Sequence, residues 1–193
     1  MKIFRYLPVS AFLFFQVSLC FANSEKSLNF SFLPDPKTRC HQYAVDIAIT
    51  DNSTLGIMPS YNCSDRPTYG TINKQVTSTF NRLVIPWRYS PGGVLKNGYF
   101  VVALVGVEKN EFKTTAGSDV NVSFIDTGVL LGYQWFWQNG FNISGLLGVA
   151  HLIRYKRDKD ISPTESSNVS DYLDRQTRTN THIGGGIQFG WAF

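Results

Sequence analysis

The 193-residue sequence predicts an all-β protein, an eight-stranded antiparallel up-and-down transmembrane β-barrel preceded by a cleaved signal peptide. Three observations predict it. Apolar residues alternate with small or polar ones along eight segments, and no helical period competes over a long window. The chain ends on aromatics, in Ile187-Gln188-Phe189-Gly190-Trp191-Ala192-Phe193, a strand with one oily face where a soluble domain normally leaves frayed polar residues. The connections alternate short and long, the asymmetry of a barrel with short turns on one side of a membrane and longer loops on the other.

Residues 1–22 read as the signal peptide. Lys2 and Arg5 form a positive start, an apolar run from Leu7 to Phe21 follows, and Cys20-Phe21-Ala22 offers small residues for cleavage after Ala22. Residues 23–193 then form one barrel domain. The formal charge of +4 owes two units to Lys2 and Arg5, and no basic stripe remains to argue for nucleic acid. A hydrophobic content of 43% is ordinary, which a barrel permits because lipid-facing and lumen-facing residues alternate.

The eight segments follow in order. Leu28, Phe30 and Phe32 alternate with Asn29 and Ser31 in the first, and Tyr43, Val45, Ile47 and Ile49 with Gln42, Ala44, Asp46 and Ala48 in the second. Leu55, Ile57 and Tyr61 mark the third; Leu83, Ile85, Trp87 and Tyr89 give the fourth an apolar face opposite Arg82, Val84, Pro86 and Arg88. Tyr99, Val101, Ala103, Val105 and Val107 face out from the fifth, with Gly106 and Glu108 behind. Ile125, Val129, Leu131, Tyr133 and Trp135 do so in the sixth, opposite Asp126, Gly128, Gly132 and Gln134. Phe141, Ile143, Leu147, Val149 and Ile153 define the seventh, opposite Asn142, Ser144, Gly148 and Arg154, and the eighth runs from about Arg178 to Phe193.

Asp51-Asn52-Ser53, Ser90 to Asn97 and Gln138-Asn139-Gly140 are the short turns. Pro34 to Arg39, Asn62 to Gln75, Asn110 to Ser118 and Lys156 to Thr177 are the long loops, the last expected to be mobile and solvated. Trp87, Tyr89, Tyr99, Trp135, Trp137 and Phe141, with Trp191 and Phe193, gather beside the short turns and predict an aromatic girdle at one headgroup level.

The terminal strand and the segment Leu131-Gly132-Tyr133-Gln134-Trp135-Phe136-Trp137-Gln138-Asn139-Gly140-Phe141 resemble the small eight-stranded bacterial outer-membrane barrels: the OmpA transmembrane domain, OmpX and the OmpW-like proteins. The resemblance implies a place in the bacterial outer membrane, contact with its lipid and lipopolysaccharide, and insertion by the Bam machinery. Phe189, Trp191 and Phe193 would be the residues that machinery reads. Functions vary widely among such barrels, so the likeness selects none.

Inside, Asp46, Arg82, Arg88, Glu108, Asp126 and Arg154 are expected to pair as an ion-pair plug, because lone charges in an eight-stranded lumen are poorly solvated. Inward glycines at 128, 132, 148, 184, 186 and 190 make room for the arginines. Cys40 and Cys63, the cysteines left after processing, are expected to join two outside loops by a disulfide, given the oxidising compartment. No residue spacing predicts a metal site or another cofactor.

The leading reading is therefore a non-enzymatic outer-membrane barrel with a plugged interior and a structural or surface-interaction role. Two rivals stand beside it. A lipid-modifying enzyme of the lipid A deacylase type needs a His and a Ser close together on a strand, and none of His41, His151 or His182 has a Ser two residues on. A soluble lipocalin-like calyx would leave the greasy outward faces in water.

Overall fold

The computed structural model describes residues 28–35, 40–65 and 75–193. The expected signal peptide, residues 1–22, lies outside them. Eight strands close a barrel in which each pairs antiparallel with its sequence neighbours: β1 (Leu28–Asp35), β2 (Cys40–Thr50), β3 (Ser53–Asp65), β4 (Val76–Tyr89), β5 (Gly98–Thr114), β6 (Asp119–Phe136), β7 (Phe141–Asp160) and β8 (Asn180–Ala192). β1 and β8 complete the ring through Asn29–Phe32 against Phe189–Ala192. Reciprocal backbone bonds between Leu28 and Phe193, 3.1 and 3.0 Å, fasten the terminal residue to the first strand.

The two faces of the wall are as the alternation predicts. Ile85, Val105, Val129, Leu131, Leu147 and Ile187 stand exposed on the outside, while Val84, Phe100, Asp126, Asn142 and Ser144 are buried within. The short turns are tight. At the β6–β7 turn Gly140 takes φ +88°, a left-handed conformation that favours glycine. Its carbonyl accepts from Ala192 N at 2.9 Å, so this turn also anchors the last strand.

Two expected loops are not loops. β5 and β6 continue past position 110 as a paired hairpin to Lys113–Asp119, closed by a turn with Gly117 at φ +88°. β7 likewise continues to Asp160, and the rest of the connection holds helix α1 (Ser167–Gln176) instead of a mobile coil. The cause is a second apolar core above the lumen. Phe112, Val120, Val122 and Phe124 lie on the inward side of the extended strands, where Val169 and Leu173 of α1 bury completely against them with Val76. An extended hairpin with an apolar inner face needs a cover, and α1 supplies it. Ser166 caps the helix, its Oγ accepting from Val169 N at 3.4 Å.

Candidate functional site

The interior is built in layers. At the floor, near the short turns, Arg88 projects from β4 and donates to Gln134 Oε1 of β6 (3.2 Å) and Gln188 Oε1 of β8 (3.3 Å). Its guanidinium carbon lies 4.2 Å from the centroid of the Phe100 ring. Beside it Asn142 Nδ2 donates to Asn29 Oδ1 (2.9 Å), and Asn29 Nδ2 donates to Asp46 Oδ2 (3.4 Å). Gly190 makes this network possible, since a Cβ there would sit 2.6 Å from Asn142 Oδ1 and 2.9 Å from the Phe30 carbonyl. Polar side chains from β1, β2, β4, β6, β7 and β8 thus tie the floor shut. A buried guanidinium is costly to desolvate, and two carboxamides and a ring face offset that cost here.

Midway up, Arg82 of β4 donates through Nε (2.6 Å) and Nη2 to the same oxygen of Asp126, a fully buried carboxylate on β6. Glu108 Oε2 on β5, between them, lies 3.8 Å from Arg82 Nε. Consecutive strands present all three at one level because the register places Arg82 opposite Glu108 and Gly106 opposite Asp126.

Between floor and lid lies a cavity of about 520 Å³, walled largely by apolar side chains that include Ala44, Met58, Val102, Leu104, Leu130 and Ala150. The polar plug expected from the sequence therefore fills only part of the lumen. Inward positions are more apolar than expected, because β5 turns Phe100, Val102 and Leu104 inward while its outward residues are apolar too. A second space of about 730 Å³, sharing Phe80, Glu108 and His182 with the first, rises toward α1 and is bordered by Tyr172, Arg175 and Arg178.

The residues singled out from sequence fall as follows. Arg82, Glu108 and Asp126 meet in one cluster, while Asp46 and Arg88 belong to the floor. Arg154 departs from expectation. β7 rises so far above the lumen that Arg154 reaches the lid, where its Nη1 donates to the Thr177 carbonyl at the helix end (3.0 Å). Trp87, Tyr89, Tyr99, Trp135, Trp137, Phe141, Trp191 and Phe193 stand on the outer surface near the short turns. They form runs of ring contacts: Trp87 on Tyr89, Tyr99 on Tyr133 on Trp135, and Trp137 on Phe141 on Trp191. Phe189 points outward on β8 like Trp191, and Phe193 follows the strand, also exposed. Cys40 opens β2 and Cys63 falls within β3, so both occupy strands and not loops. The side chains at both positions, and hence the expected disulfide, lie outside the described residues.

The two histidines with described side chains, His151 and His182, point to opposite sides of the wall. His151 Nδ1 lies 2.6 Å from Thr181 Oγ1 on the outer surface, whereas His182 borders the interior cavity; the His41 side chain lies outside the described residues. Among the described residues no group of three His, Cys, Asp or Glu side chains is placed to hold a metal ion.

The lid was missed by reading Lys156 to Thr177 as a wet loop. The signal that would have found it is Ser166 ahead of Val169, Tyr172, Leu173 and Gln176, an N-cap followed by helical spacing. Its electrostatics are local. Hydrogen bonds from Arg157 and Lys159 hold the Asp174 carboxyl below the ordinary aspartate range. Partial burial pushes the Glu165 carboxyl up, but bonds from Ser118 Oγ (2.6 Å), Thr114 Oγ1 and the Ser166 N–H together bring it below the usual range.

No family model and no curated protein sequence matches the chain. Among solved structures, it is similar to a major outer membrane protein from Thermus thermophilus, with a TM-score of 0.54 at 8% identity over 88% of this chain and 100% of that one. At that identity the likeness is one of fold. The chain is an all-β protein of the closed eight-stranded antiparallel barrel class, with an apolar exterior and a layered interior.

Proposed function

We propose that this chain is a non-enzymatic outer-membrane barrel that holds a structural or surface-interaction role, with its interior blocked at the short-turn side. The observation that carries the reading is the exterior: exposed Ile, Val and Leu side chains around the closed ring, bordered at one end by a girdle of Trp and Tyr. In water such a surface would associate; in a bilayer it is the solvent-matched face. The floor network around Arg88 favours a blocked barrel over a conduit, since a passing solute would have to break several buried hydrogen bonds together. The similarity in fold to an outer membrane protein fits the same reading.

In this reading the lid and the long-loop ends of β4–β7 face outward from the cell and meet lipopolysaccharide or an external partner. The outward Phe189, Trp191 and Phe193 are the signal for the Bam machinery. Fractionation of an expressing bacterium tests it, with gel migration of the membrane fraction before and after boiling. A heat-shifted band in the outer membrane is the expected result. A periplasmic or secreted band with no shift overturns it.

A further inference from the structure

The wall of the barrel is not continuous. β1 and β2 pair with each other over their shared length, Leu28–Asp35 against Cys40–Ile47. Their attachments to the rest of the ring are shorter. Among the described residues the β1–β8 ladder stops at Phe32–Phe189, and the β2–β3 ladder stops at Val45–Ile57. Among the described residues the backbone ladders that hold the outer half of the hairpin are thus its own, with no ladder to β8 or β3 there, while the Cys40 and Cys63 side chains lie outside the described residues.

Backbone parity gives the reason. Leu28 and Phe193 exchange both hydrogen bonds, so the next bonded positions along β1 are Phe30, Phe32 and then Pro34, facing Ile187. Proline has no N–H to give, and the ladder ends one step before it. On β3, Asn52 O accepts from Ser90 N, which turns even-numbered residues toward β4 and odd-numbered ones, Pro59 included, toward β2. That ladder also ends one step before its proline. The same parity sets Pro86 of β4 toward Gly56, and the β3–β4 pairing skips that position too.

Behind this weak seam is the 520 Å³ cavity, a size within the usual range of small-molecule pockets, about 300–1,000 Å³. Gln42 and Ala44 of the loose hairpin border it, and so do Met58 and Gly184 to Gly186 on the facing strands. Gly184, Gly185, Gly186 and Leu146 border both this cavity and a shallow groove on the outer surface. There the wall is one backbone thick. Outside the seam stand Tyr43, Ile57, Ile183 and Ile187, all exposed and apolar. The other route, past α1, is rimmed by Arg175 and Arg178.

We propose that the outer half of the β1–β2 hairpin is a lateral opening through which one hydrocarbon chain of a surrounding lipid enters the interior cavity. The inference rests on the membrane placement proposed above. The cavity also touches Asp46, Arg82, Arg88 and Glu108, but these are held in the floor network and the Arg82–Asp126 cluster. The apolar side chains between those two layers, reached from an apolar belt through a seam without a backbone ladder, suit an alkyl chain, whereas the Arg175–Arg178 rim disfavours its entry from water.

The test uses the refolded barrel in phosphatidylcholine vesicles carrying a diazirine on one acyl chain, with adducts mapped by mass spectrometry. Adducts on inward Met58 and Leu104, as well as on outward Leu147 and Ile187, are expected. The double variant Pro34→Val/Pro59→Val restores the missing donors and should lose the inward adducts while keeping the outward ones. Ala150→Phe fills the cavity from β7 and should do the same without touching the seam. Outward adducts alone on the unaltered protein overturn the lateral opening and leave the membrane reading standing, whereas adducts on neither face overturn both. A water-borne diazirine fatty acid that labels Met58 equally in the sealed and unaltered proteins places entry at the outer mouth and also overturns the proposal.

Discussion

β5, β6 and β7 run for 17, 18 and 20 residues and pair along almost their whole length, while β1 and β2 run for 8 and 11 and lose their outer neighbours halfway up. Both regions obey the same alternation. The difference lies in backbone donors and in what covers the inside. β5–β7 carry no proline, and their outer ends rest on the Val169–Leu173 face of α1. β1 and β3 carry Pro34 and Pro59 where a bond is due. A barrel wall is therefore only as continuous as its N–H groups, even when side-chain pattern is kept throughout.

The largest expected effect is on amide exchange. If the comparison holds, the His41 and Tyr43 amides, which face the missing β2–β3 ladder, exchange orders of magnitude faster than those of Val102 to Leu104 in β5, because local opening is limited there by far fewer bonds. Equal protection by hydrogen-exchange mass spectrometry would remove the distinction between the two regions.

Next comes the ion-paired layer. Arg82→Met leaves the buried Asp126 carboxylate without its partner and beside Glu108, and is expected to cost about 3–5 kcal/mol in urea unfolding of the reconstituted barrel. A loss below about 1 kcal/mol would mean the cluster is wet and the layer contributes little.

The lid separates the regions further. Leu173→Ala removes a fully buried side chain from the cluster over β5 and β6 and is expected to cost the helix about 2–5 kcal/mol of docking. Proteolysis between α1 and β8 should then rise, while the heat-shifted gel band persists. Ser166→Ala deletes the cap and should act in the same direction by about 1 kcal/mol.

The smallest effect is the pH dependence of the lid. Asp174 is held below the ordinary carboxylate range by Arg157 and Lys159. Its contribution is complete above the unfolded value, about 3.9, and is lost as pH falls through the lower folded one. The pairs are half-exposed, so the increment stays below about 1 kcal/mol. A carboxyl-carbon titration by NMR checks it: the Asp174 midpoint should rise in Arg157→Gln.

Much of this was legible in the chain. Period-two alternation assigned the eight strands and the outward set, and the aromatics near Trp87, Trp135 and Trp191 marked one end of the barrel. Arg82 and Asp126 could be recognised as inward because strand parity is fixed by the sequence alone. Arg154 has the same parity but the wrong height, since parity says nothing about how far a strand rises above the lumen.

By itself the sequence determined the class of fold, the sidedness of the wall and where prolines withhold a donor, because these depend on local covalent structure and a two-residue repeat. Only the tertiary structure decided which ladder each missing donor interrupts, which charges meet, and that Val169 and Leu173 close a second core over Phe112 and Phe124. Those outcomes depend on register and strand length between segments a hundred or more residues apart, as in the Arg88–Gln188 and Asn142–Asn29 bonds. No window along the chain encodes such pairings.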